Sequence, residues 1–407
     1  MLQAVRWSFT HRTLRIAGGA WFRLKGRVDN SGRIDLAHVR RVLVVRLDEI
    51  GDVVLTTPFL RALRDNLPGA WITLLVRPAI KNLVELCPHV SEVLTYEPAD
   101  SRYWRSFQAS SRALRLASKH FWRHDYDLAI APRWDVDSHY GSMVAFLSGA
   151  RQRLGYSEKV TEEKSRLNAG LDRLLTHAID GRELAHEVER NLHLIVLIGG
   201  TVKQDRLELW CGDADELIAD RILARHGAND GSPLIAIAPG AGHPKRMWSL
   251  ANFAEFAAWA EKHCGGTVLI IGNQEEEWLG KELESRVAGN VINAAGRTSL
   301  RETAALLKRC HLFVGNDAGP MHLAAAAGLP VIEISCHPLN GSTGHTNSPA
   351  RFGPWRTRHV ILRPAKALDS CPDGCTSEQA HCIRGISVEQ VKKAAASLLL
   401  RLDRARH

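Results

Sequence analysis

Short, mostly apolar segments recur along the chain at 42–45, 72–76, 90–96, 127–131, 234–238 and 268–271. Between them lie stretches with apolar residues at helical spacing: Leu55, Phe59, Leu60 and Leu63, then residues 106–123, 250–263 and 274–287. A mostly apolar segment of this length suits a strand buried on both faces. A helix between two such strands gives a parallel β-α-β unit with a right-handed crossover. The alternation starts near residue 40, pauses at the polar stretch HGANDGSP (226–233) and starts again. Ser299 with Glu302, and Ser387 with Gln390, have the spacing of capping boxes that open later helices. The expectation is an α/β protein with two doubly wound domains, at 40–225 and 226–386, facing each other across a cleft. A basic extension (1–39) precedes them and a last helix (387–407) follows. A length of 407 residues suits two cores better than one.

The segment LFVGNDAGPMHLAAAAGLPVIEI (312–334) reads as strand, tight turn, Ala-rich helix and strand. It puts Asp317, Ala318 and Gly319 at the carboxyl edge of a strand, with Pro320 suited to a first helical turn. Ligands bind at that edge of an open α/β sheet, and a helix starting there directs free N–H groups and a positive dipole end toward a phosphate. His322 falls on this helix, where a lone histidine is either a satisfied core residue or a ligand contact. In the first half, Gly51 and Asp52 follow a strand in the same way. Asp52 can accept a proton from an attacking hydroxyl, and the nearby Asp48 and Glu49 would raise the pKa of one carboxyl. It can equally cap a helix beginning at Val53. Lys245 and Arg246 follow the strand at 234–238 and the turn Pro239-Gly240-Ala241-Gly242, where cations can hold a diphosphate.

Charge adds two features. The net charge is +9, and Arg6, Arg12, Arg15, Arg23, Lys25 and Arg27 all precede the first acid, Asp29, interleaved with Trp7, Phe9, Trp21 and Phe22. Such an extension suits an anionic membrane surface, or is a plain basic tail. The helix at 106–123 places Phe107, Leu114 and Phe121 on one side and Arg105, Arg112 and Lys119 on another, with no acid between Asp100 and Asp125. Phosphorylated acceptors or lipid headgroups would explain that stripe. No apolar run spans a membrane and no export signal is evident, so the cytoplasm is expected. No nucleic-acid-binding motif appears, and neither a G-x-G-x-x-G nor a P-loop pattern is present. Cys371, Cys375 and Cys382, with His381, are either metal ligands at an unusual spacing or reduced cysteines of a loop.

Three blocks, VVRLDEIGDVVLTTPFLRALRDNLP, APGAGHPKRMWSLANFAEFA and VGNDAGPMHLAAAAGLPVI, occur in an order that resembles glycosyltransferase family nine, the heptosyltransferases of lipopolysaccharide core assembly. The resemblance implies a GT-B fold, two Rossmann-like domains with the last helix crossing back to the first. It implies inverting transfer of a heptose, from an ADP-heptose-like nucleotide-sugar donor, to a phosphorylated, lipid-linked saccharide acceptor. Asp52 then matches the catalytic base. Gly51, Lys245, Arg246, Asp317, Ala318, Gly319, Pro320 and His322 fall to the donor, and Arg61, Arg64, Arg105, Arg112 and Lys119 to the acceptor. No cofactor or metal is expected, because cations and a helix dipole can stabilise the leaving diphosphate. The expected location is the cytoplasmic side of the inner membrane, on its anionic surface. Two features depart from the family pattern. Ala318 replaces a usual hydroxyl residue, and the loop at 335–355 is rich in Gly, Ser, Asn and His. Other readings keep another donor, a protein or O-polysaccharide acceptor, a GT-B epimerase or hydrolase, or a non-catalytic binding protein.

Overall fold

The computed structural model describes residues 33–98, 105–181, 185–228, 232–287, 289–345, 347–367 and 379–406, without the side chains of 105–110 and 401–406. The basic extension up to residue 32, Cys371 and Cys375 therefore lie outside the described residues. The chain forms two compact units, Met1–Asp205 and Arg206–His407.

The first unit runs β1 (Arg41–Val45), α1 (Ile50–Val54), α2 (Thr57–Asn66), β2 (Trp71–Val76), α3 (Lys81–Val84), β3 (Glu92–Thr95) and α4 (Arg105–Leu116). It continues with β4 (Leu128–Ala131), α5 (Gly141–Leu147), β5 (Gln152–Tyr156), α6 (Glu162–Leu167), β6 (His177–Ile179) and α7 (Glu187–Leu197). Its strands are all parallel, in the order β3-β2-β1-β4-β5-β6. Chain order reverses between β1 and β4, so their carboxyl ends flank the crevice where doubly wound sheets take ligands.

Three sequence expectations change here. The helical spacing at 55–63 belongs to two helices, because Pro58 lacks an N–H and starts a new one, with the Thr56 hydroxyl bonded to the Asp52 carbonyl at 2.7 Å and that of Thr57 to the Val54 carbonyl at 2.8 Å. The first of them begins at Ile50, so Asp52 sits inside α1 and is not the cap of a helix at Val53. In α4 the last turns widen into a π-helical turn, Ala117–Phe121. The wide turn shifts the register, so Ala113, Ala117 and Phe121 enter the core while Leu114 stays 39% exposed, against the seven-residue spacing read from the sequence.

The second unit runs α8 (Asp213–Arg225), β7 (Leu234–Ala238), α9 (Leu250–Cys264), β8 (Thr267–Ile270), α10 (Glu277–Arg286), β9 (Val291–Asn293) and α11 (Leu300–Leu307). It ends with β10 (Leu312–Asn316), α12 (Gly319–Ala326), β11 (Val331–Ile334), α13 (Pro349–Phe352), β12 (His359–Leu362) and α14 (Val388–Arg406). Its parallel order, β12-β11-β10-β7-β8-β9, repeats the first unit's topology, with the reversal between β7 and β10. Helix α8 packs on α11 in this unit, and the division accordingly falls at Asp205 rather than at the polar stretch. The apolar stripe of α14, Val391, Ala394, Ala395 and Leu398, is part of the second unit's core. The Ser299–Glu302 box forms as read, with the Ser299 N–H on Glu302 Oε2 at 2.7 Å and the Glu302 N–H on Ser299 Oγ at 3.3 Å. Ser299→Ala is expected to cost about 1 kcal/mol, measurable by thermal unfolding.

Candidate active site

In the first unit four charged side chains meet at the switch point. Arg46 follows β1, Asp48 stands on the turn into α1, Asp52 lies inside α1, and Arg133 follows β4, the strand hydrogen-bonded to β1. The Arg46 guanidinium, fully buried, lies 3.1 Å from Asp48 and 3.3 Å from Asp52. That of Arg133 lies 3.3 Å from Asp48 and 3.1 Å from Asp52. The second oxygen of Asp52 accepts the Glu49 N–H at 3.3 Å, closing a capping box with Asp52 as its third helical residue. One carboxylate thus serves both the helix start and the cluster. Gly51 is buried beside it.

The two carboxyls are driven apart in acidity. Burial raises the Asp52 pKa, Arg133 and Arg46 offset it in part, and the charges of Asp48 and Glu187 raise it further. Burial acts on Asp48 as well, but Arg46, Arg133, His139 and Lys164 together hold its pKa below the ordinary value. Asp48 is thus the stronger acid of the two and Asp52 the weaker. Pairs with divergent pKa values of this kind mark acid–base roles. Arg46 and Arg133 are the members that the sequence reading missed. Arg133 looks like any arginine in a loop, and only the pairing of β1 with β4 signals it.

In the second unit the corresponding turns follow β7 and β10, which pair with Gly315 opposite Ala238. Asn316, buried at the end of β10, ties them together. Its Nδ2 donates to the Pro239 carbonyl at 2.8 Å and the Gly240 carbonyl at 3.2 Å, and its Oδ1 accepts the Trp248 N–H at 3.0 Å. Lys245 and Arg246 sit on a 3-10 turn, Pro244–Arg246, capped by His243, whose Nδ1 accepts the Lys245 N–H at 3.2 Å. Arg246 reaches to 3.9 Å from Asp317. Ala318 occupies the N-cap position of α12 with extended backbone and no side-chain cap, and Pro320 lies in the first turn. An alanine side chain cannot cap α12, Pro320 has no N–H and the Met321 N–H bonds the Ala318 carbonyl at 3.0 Å, so what this helix start offers an anion is chiefly its positive dipole end. His322 is buried one turn further on. Gly240 allows a close approach, since a Cβ there would stand 2.0 Å from Glu276 Oε1 in the turn after β8. Glu276 is a third residue that the sequence reading did not single out.

The acceptor set divides. Arg64 is fully employed in the fold, with its guanidinium on the carbonyls of His89, Leu67, Pro68 and Ala70 and on Ser91 Oγ. It closes the α2–β2 connection and leaves the candidate set for that reason. Arg61 is buried on α2. Arg112 and Lys119 are exposed, and the side chain of Arg105 is outside the description. Of the cysteine cluster, Cys382 is buried with its Sγ 3.0 Å from His381 Nδ1.

Two parallel six-stranded sheets of doubly wound order, each with a polar site at its switch point, define the GT-B class of glycosyltransferase fold. Residues 115–380 match the model of glycosyltransferase family 9 (heptosyltransferase), and the chain belongs to that family; it is a transferase. It is 25% identical over 335 residues to lipooligosaccharide heptosyltransferase 2 of Haemophilus ducreyi, covering 79% of this chain and 88% of the relative. It is 26% identical to lipopolysaccharide heptosyltransferase 3 of Escherichia coli K12, covering 79% and 92%. A family 9 glycosyl transferase from Veillonella parvula superposes with a TM-score of 0.74 at 23% identity, over 89% of this chain and 98% of the other. The ADP-heptose lps heptosyltransferase II of E. coli gives 0.64 at 19%, over 89% and 99%.

Proposed function

We propose that the protein is an inverting heptosyltransferase that moves heptose from ADP-heptose to a lipopolysaccharide-core saccharide. The observation that carries this reading is the Asp52 carboxyl, raised in pKa and set against Arg133 at the first switch point. Asp52 takes the proton of the acceptor hydroxyl as that oxygen attacks the anomeric carbon. Lys245, Arg246 and the N-terminus of α12 stabilise the diphosphate as it leaves, and Asp317, Gly319 and His322 shape the turn that holds it. Cations and the helix dipole do this without a metal. Arg61, Arg112 and Lys119 face the phosphorylated, lipid-linked acceptor in this reading, and the protein works at the cytoplasmic face of the inner membrane. Among the described residues, no helix is long and apolar enough to cross a membrane.

Thermal-shift titration with a nucleotide panel tests the donor assignment: ADP and ADP-heptose stabilise, and UDP and GDP do not. A selective rise with UDP or GDP would replace the donor. The base assignment predicts a pH profile as well. Only ionised Asp52 accepts the proton, so kcat/KM falls as pH drops through a pKa above the usual carboxylate range. A profile flat down to about pH 4 would contradict it.

A further inference from the structure

We propose that Lys164 is a positioning residue for the acid–base group: its buried ammonium, bonded to three backbone carbonyls, holds the turn that carries Arg133 and so sets Arg133 against Asp52. The inference rests on the reading of Asp52 as base.

Helix α6 follows β5 and its sequence, EEKSRL, reads as a solvated helix. Lys164 is nevertheless 2% exposed. Its Nζ donates to the carbonyls of Arg133 at 3.2 Å, Trp134 at 2.9 Å and Tyr156 at 3.0 Å. Three acceptors match the three N–H bonds of an ammonium, and a neutral amine would leave one carbonyl without its donor. The Arg133 and Trp134 carbonyls lie on the turn after β4 and that of Tyr156 at the end of the neighbouring strand β5, so the side chain ties the turn to β5. Asn168, four residues on and hence on the same helical face, grips that turn a second time. Its Oδ1 accepts the Asp137 N–H at 2.7 Å and its Nδ2 donates to the Asp137 carbonyl at 3.3 Å. The turn has one cation aimed at the cluster, Arg133, at 3.1 Å from Asp52 and 3.3 Å from Asp48. Trp134 is fixed from its other side, with its indole N–H on the Gly181 carbonyl at 3.1 Å and the Arg190 guanidinium 3.6 Å from its ring centroid.

The charged groups facing Lys164 are Asp137, Asp135 and Arg133 of this turn, Asp172 beyond α6 and Asp48 of the cluster. Burial lowers the ammonium pKa to about 8, and Asp137, Asp135 and Asp172 hold it up against Arg133. The clamp is therefore complete at neutral pH and loses its third N–H as pH rises through about 8.

The test is a double-mutant cycle of Lys164→Met and Arg133→Met, read as kcat and its pH profile, with ADP binding as the control for the second unit. Lys164→Met alone is expected to lower kcat about 10-fold to 100-fold through misplacement of Arg133. It also moves the acid limb to higher pH, because Arg133 is the largest influence lowering the Asp52 pKa. In the Arg133→Met background the second substitution costs nothing further. Additive losses with an unmoved acid limb would overturn the proposal and leave Lys164 a plain structural residue. Should Lys164→Met not fold, Asn168→Ala takes its place in the same cycle with the same two outcomes. Full transfer by Asp52→Asn would instead sink the base assignment itself. An inactive Asp52→Asn beside additive Lys164 losses sinks this inference alone.

Discussion

Asp52→Asn is expected to lower kcat about 10²-fold to 10⁴-fold while ADP affinity is unchanged. Asparagine keeps the size of the side chain, and its carbonyl can still accept the Glu49 N–H that closes the capping box of α1. What it loses is the proton acceptor. The substitution also leaves Arg46 and Arg133 with Asp48 as their remaining carboxylate partner in the cluster, so a modest loss of stability accompanies the loss of rate. Steady-state kinetics with thermal unfolding separates the two effects. A rate within about 3-fold of wild type would remove Asp52 from the chemistry, since general bases contribute far more.

Asn316→Ala is expected to be the most damaging change in the second unit. The amide is buried and uses both ends, on the Trp248 N–H and on the carbonyls of Pro239 and Gly240. Alanine strands all three backbone groups away from water. At roughly 1 kcal/mol for each, the cost is about 3 kcal/mol, or a fall in melting temperature of about 6–12 °C. The loss extends to function, because Asn316 is the tie between the Gly240 turn and the Asp317 turn. ADP affinity falls together with stability. Trp248 carries the effect inward: its indole N–H bonds the Ile386 carbonyl at 2.8 Å and its ring meets Phe253 edge-on at 5.0 Å. A melting temperature within about 2 °C of wild type would show that the tie is dispensable.

The doubly wound architecture was legible because strands buried on both faces leave unbroken apolar runs; residues 234–238 match β7 to the residue. Turn chemistry was legible at Asp317–Pro320 through Pro320, whose fixed φ and missing N–H suit the first turn of α12. What stayed hidden depends on which strand lies beside which. Asp52 and Arg133 are 81 residues apart, and their ion pair exists only because β4 lies against β1. The acidic–basic segment around Lys164 looks solvated, and only the path of the turn after β4 buries it. The exposed Leu114 and buried Ala117 followed from a π-helical turn, a one-residue shift in register that no apolar pattern announces. Arg64 misled in the opposite direction, since a cation bonded to backbone carbonyls and a serine hydroxyl is indistinguishable in sequence from one that meets a phosphate.

The most direct test of the central claim is transfer from ADP-heptose to a lipopolysaccharide-core acceptor, with the anomeric configuration of the product read by NMR. The account predicts acceptor-dependent release of ADP and a product of inverted configuration, both lost in Asp52→Asn. Retained configuration, or ADP release that needs no acceptor, would contradict it.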